Sequence, residues 1–319
     1  MIVLLSTLSF LLAFVAVLTI TAFGGMFSEK SGTIALSLEG CMTFGAFSAS
    51  VVMFLLPSSI PNGISALLVI LTAIIGAGLY SLLLAVACIT FKANQTLVGT
   101  ALNILSTAVS VVLIKQMTRT EALPVGNSRL NFTRFYEIFN VDLFGIQGVK
   151  FNWLLLIVLA LVPIVYLVIY KTRYGWRLSS CGENPSCADS LGIPVNKTRY
   201  IGVLLSGLFA GLGGLLLITM NAEWDFANGA NGFGYLALAV LIFGQWKPLY
   251  VFLGAFVFSL FKTLSVIYPS IDFLANLGLS SYFYLALPYI VCLIVLVFTS
   301  KKNAGPKAAG QPYDKDSSR

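Results

Sequence analysis

Eight apolar stretches of about 20 residues, each holding no more than one charge, decide what this chain can fold into. They lie at 2–23, 38–56, 65–88, 96–114, 152–170, 198–219, 248–268 and 281–299, and a ninth run at 234–243 is half as long. A helix of that length matches the hydrocarbon thickness of a bilayer. The composition closes the alternative of one large soluble core. The 319 residues are 58% hydrophobic and 10% charged, with a mean hydropathy of +0.93, where a soluble domain carries roughly 45–50% and about 25%. Surface-to-volume scaling does not let a chain this size bury such an excess. A soluble enzyme, a nucleic-acid binder and a disordered protein are excluded. The class expected is all-α: a polytopic membrane bundle of nine spans, over residues 1–300. The first run has no Lys or Arg before it and is too long for a signal-peptide core, so it is read as an uncleaved helix.

The 19 Lys and Arg orient the spans. With the N-terminus outside and the C-terminus in the cytoplasm, Lys30, Lys92, Lys171, Arg173, Arg177, Lys197, Arg199, Lys247 and the tail lysines all fall inside. Lys115, Arg119, Arg129, Arg134 and Lys150 share one external loop, 115–151, which has room for a short helix or hairpin. The basic loop 171–197 and the basic tail lie on the same side only if 234–243 crosses. Ten residues rise about 15 Å as helix, so this crossing must borrow its flanks or be broken, and Gly232, Gly234 and Gly244 suit a break that faces protein. The tail, 301–319, is polar with Gly and Pro and is read as a disordered cytoplasmic segment.

The cytoplasmic stretch 174–193 carries the strongest local signal. Asn184 suits a helix N-cap, Pro185 the first helical position, and Gly192 the residue after the end. Between them Ser186 to Leu191 allow two turns, with Ala188 and Leu191 on one apolar edge. An ordinary connection between spans would read the same way.

The residues Gly182, Glu183, Asn184, Pro185, Ala188, Gly192 and Ile193 resemble the cytoplasmic loop of ABC importer permeases for branched-chain amino acids, simple sugars and nucleosides. Phe27-Ser28-Glu29-Lys30-Ser31-Gly32 with Leu38-Glu39-Gly40 is similar to the nucleoside type, as are Lys92-Ala93-Asn94-Gln95 with Leu102-Asn103. The run Gly232-Phe233-Gly234-Tyr235-Leu236-Ala237-Leu238-Ala239, with Phe243-Gly244 and Pro248, fits too. The resemblance covers most of 20–265 and departs over 115–151 and the tail. It implies a permease subunit in the bacterial inner membrane, working with a second permease, identical or homologous, two cytoplasmic ATPase domains and an external substrate-binding lipoprotein. Stretch 174–193 would then be the loop that docks on the ATPase. The chain has no GxxxxGK[ST], so ATP and its magnesium belong to the partner and no cofactor is expected on this chain. Nucleosides are the substrate expected, with riboflavin and simple sugars as alternatives.

Polar residues within spans are the candidates for the substrate pathway. Glu39 opens span 38–56 at its cytoplasmic end, as a cap or a pathway carboxylate. Asn103 lies eight residues into span 96–114 and must find partners there. Gly232, Phe233 and Gly234 complete the set, because a break frees backbone groups. Lys262 either snorkels outward or lines a cavity, and Trp224 either anchors at the interface or stacks on a flat ligand. Gly207/Gly211 and Ala210/Gly214, four apart, mark a close helix contact. The alternative class is a self-sufficient secondary transporter or channel. It would favour intramembrane coupling carboxylates, of which Glu39 near a span end is the one on offer, and a two-fold internal repeat, which the sequence does not display. An intramembrane enzyme lacks machinery: there is no His and no GxSxG, and the five Cys form no CxxC pair for a metal or disulfide framework.

Overall fold

A computed structural model describes residues 2–57, 59–118, 122–124, 132–142, 150–220, 223–271, 274, 280–299 and 305–314. Every apolar run is helical. In chain order the elements are α1 (Ile2–Lys30), α2 (Leu38–Leu55), α3 (Asn62–Ala85, continued by a π turn, Val86–Thr90), α4 (Gln95–Thr118), β1 (Ala122–Pro124), α5 (Phe132–Phe139), β2 (Asn140–Asp142) and β3 (Lys150–Asn152). Then follow α6 (Leu154–Lys171), α7 (Arg173–Glu183), α8 (Pro185–Ser190), α9 (Val195–Met220), β4 (Glu223–Asp225), α10 (Phe233–Phe243), α11 (Pro248–Ile267) and α12 (Ser281–Thr299). Among the described residues eight helical stretches are long and apolar enough to cross a membrane, Phe226–Phe243 being one, and the apolar part of α12, Ser281–Ile294, adds a shorter ninth. Within 115–151 lie α5, β2 and the start of β3, which pairs antiparallel with β2, while β1 reaches across to pair with β4.

The bundle is built around α9, which packs on α1, α2 and α3. Its small residues explain how three helices approach one. A Cβ on Gly207 would collide with Ser81 and Ala77 of α3, one on Gly211 with the Ala73 carbonyl, and one on Gly214 with the Met42 carbonyl of α2. Gly211 also lets the Gly45 backbone in: a Cβ on Gly45 would stand 2.6 Å from the Gly211 Cα. In lipid no hydrophobic gain drives helices together, so this close van der Waals fit carries the association.

Two ends of the bundle are distinct. Lys30, Lys92, α7, α8, the start of α9, Lys247 and residues 305–314 meet at one, here the loop end. The segment 305–314 is folded onto that end, where the composition suggested a disordered tail: Tyr313 and Ala308 are buried and two of its backbone N–H groups are taken by carbonyls of the bundle. A polar tail is disordered only if nothing binds its backbone, and here the loop end does. Residues 301–304 and 315–319 lie outside the described part.

The link between α1 and α2 winds back into the bundle instead of staying at its surface. Residues 31–37 are buried or half-buried, and α4 holds them: Gln95 Oε1 accepts from Ile34 N–H at 2.8 Å, and Asn103 donates to the Leu36 carbonyl at 2.8 Å. Asn103 is eight residues past Gln95, so α2 begins about 12 Å inside the bundle. The expectation that Glu39 sits at a membrane surface is therefore corrected, since its neighbours on α4 are at mid-depth. The spans were counted as if each began at an interface, and α2 does not.

Candidate functional site

α10 is 11 residues long, about 16 Å of helix, and its N-terminus opens at the depth of Glu39. A helix start leaves N–H groups without partners, and the Glu39 carboxylate supplies them. Oε1 accepts from Gly232 N–H at 2.9 Å and Oε2 from Gly234 N–H at 2.7 Å. The carboxylate also meets the positive end of the helix. Gly232 has φ +78°, which L side chains resist. Gly234 is required by contact, because a Cβ there would stand 2.5 Å from the Glu39 backbone. The short crossing is thus a broken one, with a 3₁₀ turn (Phe226–Asn228) leading into it from the far end.

Phe233 is buried against Phe14, ring centroids 5.5 Å apart, and the Lys262 ammonium sits 4.9 Å from the Phe233 centroid. Lys262 is buried and points inward, so it does not snorkel. Asn103 uses all of its amide: Oδ1 accepts from Gly40 N–H, and Nδ2 donates to the Leu36 carbonyl and the Tyr235 hydroxyl, each at 2.8 Å. Glu39, Asn103, Gly232, Phe233, Gly234 and Lys262 are therefore one cluster, and most of its polar capacity is spent internally. What it presents outward is aromatic. Tyr235 is 44% exposed and Tyr289 is 40% exposed, the latter with its hydroxyl within 3.5 Å of the Asn231 carbonyl. Neither tyrosine was singled out from the sequence; the signal was a phenol inside an apolar run. Asn221 and Ala222 lie outside the described residues, as does the Trp224 side chain, whose backbone is in β4.

At the loop end the capping pattern folds as read. Asn184 Oδ1 accepts from Cys187 N–H at 3.0 Å, Pro185 opens α8, and Gly192 at φ +79° closes it. The expected apolar edge divides instead: Ala188 is 1% exposed while Leu191 is 75% exposed. The reason is that α8 stops at Ser190 and Leu191 belongs to the turn. Gly182 lies against the Lys30 carbonyl, Ile193 returns a hydrogen bond to the Ala188 carbonyl at 3.0 Å, and Glu183 is exposed. α7 was not expected; Thr172 caps it by accepting from Gly175 N–H at 3.2 Å. Burial pushes the Cys181 thiol up on α7, opposed by Thr198 and Arg199, and pushes the Tyr174 phenol up to about 12.

A second buried carboxylate escaped assignment. Glu29, near the end of α1, accepts from Trp246 Nε1 at 2.6 Å. Gln245 and Trp246 both have left-handed backbone, φ +49° and +55°, a strained pair that this hydrogen bond helps to hold. Beside them is a cavity of about 150 Å³ lined by Lys30, Glu183, Lys247 and Pro306, among others. Among the described residues no three of Cys, Asp and Glu converge as a metal ion would need. The larger groove, about 340 Å³ between α1 and α11, is aliphatic apart from two threonines, Thr7 and Thr263.

A family model described as "Branched-chain amino acid transport system / permease component" matches residues 7–299. The guanosine ABC transporter permease protein NupQ of Bacillus subtilis (strain 168) is 35% identical over 309 residues, 95% of this chain and 95% of its own. The nucleoside ABC transporter permease protein NupC of Lactococcus lactis subsp. cremoris is 35% identical over 301 residues, 93% of each. A solved ABC transporter in an inward-facing conformation has the same fold, with a TM-score of 0.52 at 15% identity over 91% of this chain and 85% of its own.

Proposed function

The chain belongs to the branched-chain amino acid transport system / permease component family, and on that footing we propose that it is the membrane-spanning permease subunit of an ATP-driven ABC importer for nucleosides. It is a multi-pass protein of the inner membrane and not itself an enzyme; an associated ATPase and a substrate-binding partner complete the transporter. The observation that carries the substrate class is identity of 35% to nucleoside permeases across 95% and 93% of the chain. The remaining assembly follows as proposal: two cytoplasmic ATPase domains holding ATP and magnesium, a second permease, and an external lipoprotein that delivers the nucleoside. No cofactor is assigned to this chain.

The bundle's middle is occupied by α9 and its glycine contacts, which supports a pathway between two permeases rather than through one. On that pathway the broken start of α10 supplies what a nucleoside needs, a flat wall and a few hydrogen-bonding groups. Tyr235 and Tyr289 give the wall and the hydroxyls. Glu39, Asn103, Gly232, Phe233, Gly234 and Lys262 hold that edge in place. At the loop end Glu183 and Leu191 face outward for the ATPase, while Asn184, Pro185 and Gly192 keep α8 stiff enough to transmit its movement. The test is reconstitution of the chain with its ATPase, second permease and binding protein in proteoliposomes. ATP-dependent uptake of radiolabelled guanosine or adenosine is expected; uptake of sugars or riboflavin without nucleosides overturns the reading.

A further inference from the structure

The coupling helix α8 rests on a small apolar cluster separate from the main core: Cys181, Ala188, Val195 and Tyr313, with Ile193 beside them. Three of these come from the loop and the start of α9. The fourth, and the largest, comes from residues 305–314. That segment is fastened at four other points. Ala308 N–H donates to the Gly182 carbonyl at 2.8 Å, and Gly310 N–H donates to the Gly32 carbonyl at 3.3 Å. Arg199 Nη1 donates to the Gln311 carbonyl at 2.9 Å, and Lys92 pairs with Asp314 at 2.6 Å. Gly310, at φ +82°, makes the turn that lets both flanks of the segment reach these points.

These fastenings join parts that are otherwise far apart in the chain. Gly182 belongs to α7, Gly32 follows α1, Arg199 is in the first turns of α9, and Lys92 is the corner between α3 and α4. Arg199 is 1% exposed, and its Nε and Nη2 find no hydrogen-bond partner among the described residues. A guanidinium is that deeply buried only where something organises its surroundings, and the bonded carbonyl there comes from the segment itself. Without the segment α8 would lean on Cys181, Val195 and the half-buried Ile193, hinged at Asn184 and at the turn through Gly192.

We propose that residues 305–314 are a transmission strap, which seats the coupling helix on Tyr313 and ties it to α1 and α9, so that movement of the ATPase reaches the central helices. This inference rests on the reading of 182–193 as the coupling loop. The strap is a positioning element; it touches neither substrate nor ATP. The surface pair Lys92–Asp314 contributes least, since exposed pairs are weak, and the seat and the backbone bonds contribute most.

The experiment uses the assembled transporter in proteoliposomes and measures nucleoside moved per ATP hydrolysed. Cys181 is the reporter of the seat, in a background of Cys187→Ser and Cys292→Ser, read by maleimide labelling. A chain ending at residue 304 and the full-length Tyr313→Ala should each retain bound ATPase and ATP hydrolysis. Each should move roughly fivefold less nucleoside per ATP and label faster at Cys181. Lys307→Ala, on the exposed side of the strap, should match the parent in both measurements. Unchanged transport per ATP in either variant overturns the strap, as does slow Cys181 labelling after the segment is removed. Asn184→Gly with Pro185→Gly separates the two readings: if that change also leaves transport per ATP untouched, the coupling loop is wrong; if it lowers the ratio while strap variants do not, only the strap is wrong.

Discussion

A carboxylate inside an apolar bundle is stable only with donors aimed at its oxygens, and at Glu39 these are the N–H groups of Gly232 and Gly234. Glu39→Gln keeps the shape and turns one oxygen into a donor that must face another N–H. A loss of about 1–3 kcal/mol is expected, read as a lower melting midpoint of the detergent-solubilised complex; a solvated end residue would show no change. Asn103 is engaged in the same way, so Asn103→Ser should lower stability by about 1 kcal/mol and leave the ratio of guanosine to adenosine uptake unchanged. Tyr235→Phe removes only the hydroxyl that faces both Asn103 and the open side. If the tyrosines line the pathway, that ratio shifts in Tyr235→Phe at matched expression; an unchanged ratio takes Tyr235 out of the substrate's path.

At the scale of elements, α8 is a six-residue helix whose stiffness comes from its two ends. Its ends are fixed by Asn184, Pro185 and Gly192, and Asn184→Gly with Pro185→Gly removes a cap and a preset φ at a loss of about 1 kcal/mol or more. ATP-driven uptake should fall while the amount inserted in the membrane stays constant, measured by quantitative blot beside the transport assay. These caps were legible because they are local: a side chain two or three residues from its acceptor leaves a pattern in the sequence. Helix positions were legible for a similar reason, since hydropathy alone separates Leu154–Lys171 from its flanks. The depth of Glu39 was not, because residues 31–37 are drawn inward by Gln95 and Asn103, some 60 positions away. The order of 305–314 was equally hidden, as it depends on carbonyls of Gly182 and Gly32 that no side-chain pattern announces. Glu39, Asn103, Gly232, Phe233 and Gly234, picked from the sequence one by one, fall into a single cluster, but their satisfaction of one another, and the exposure of Tyr235 and Tyr289, are properties of packing.

For the whole molecule, the basic residues predict which end faces the cytoplasm. Lys30, Lys92, Lys171, Arg173, Arg177, Lys197 and Lys247 all belong to segments that meet at the loop end, and Lys or Arg near span ends is retained on the cytoplasmic side. The partner argument agrees, because an ATPase that docks on α8 must have access to ATP. Cys187 offers a direct measurement: it is exposed on α8, whereas Cys41, Cys88 and Cys181 are buried. In a Cys292→Ser background, a membrane-impermeant maleimide should label inverted vesicles stripped of the ATPase and leave intact cells unlabelled. Adding the purified ATPase back should then slow labelling of Cys187, since α8 would be covered. Labelling in intact cells would put the coupling loop outside. With it the direction of transport and the seat of the ATPase would both fall, whatever the substrate proves to be.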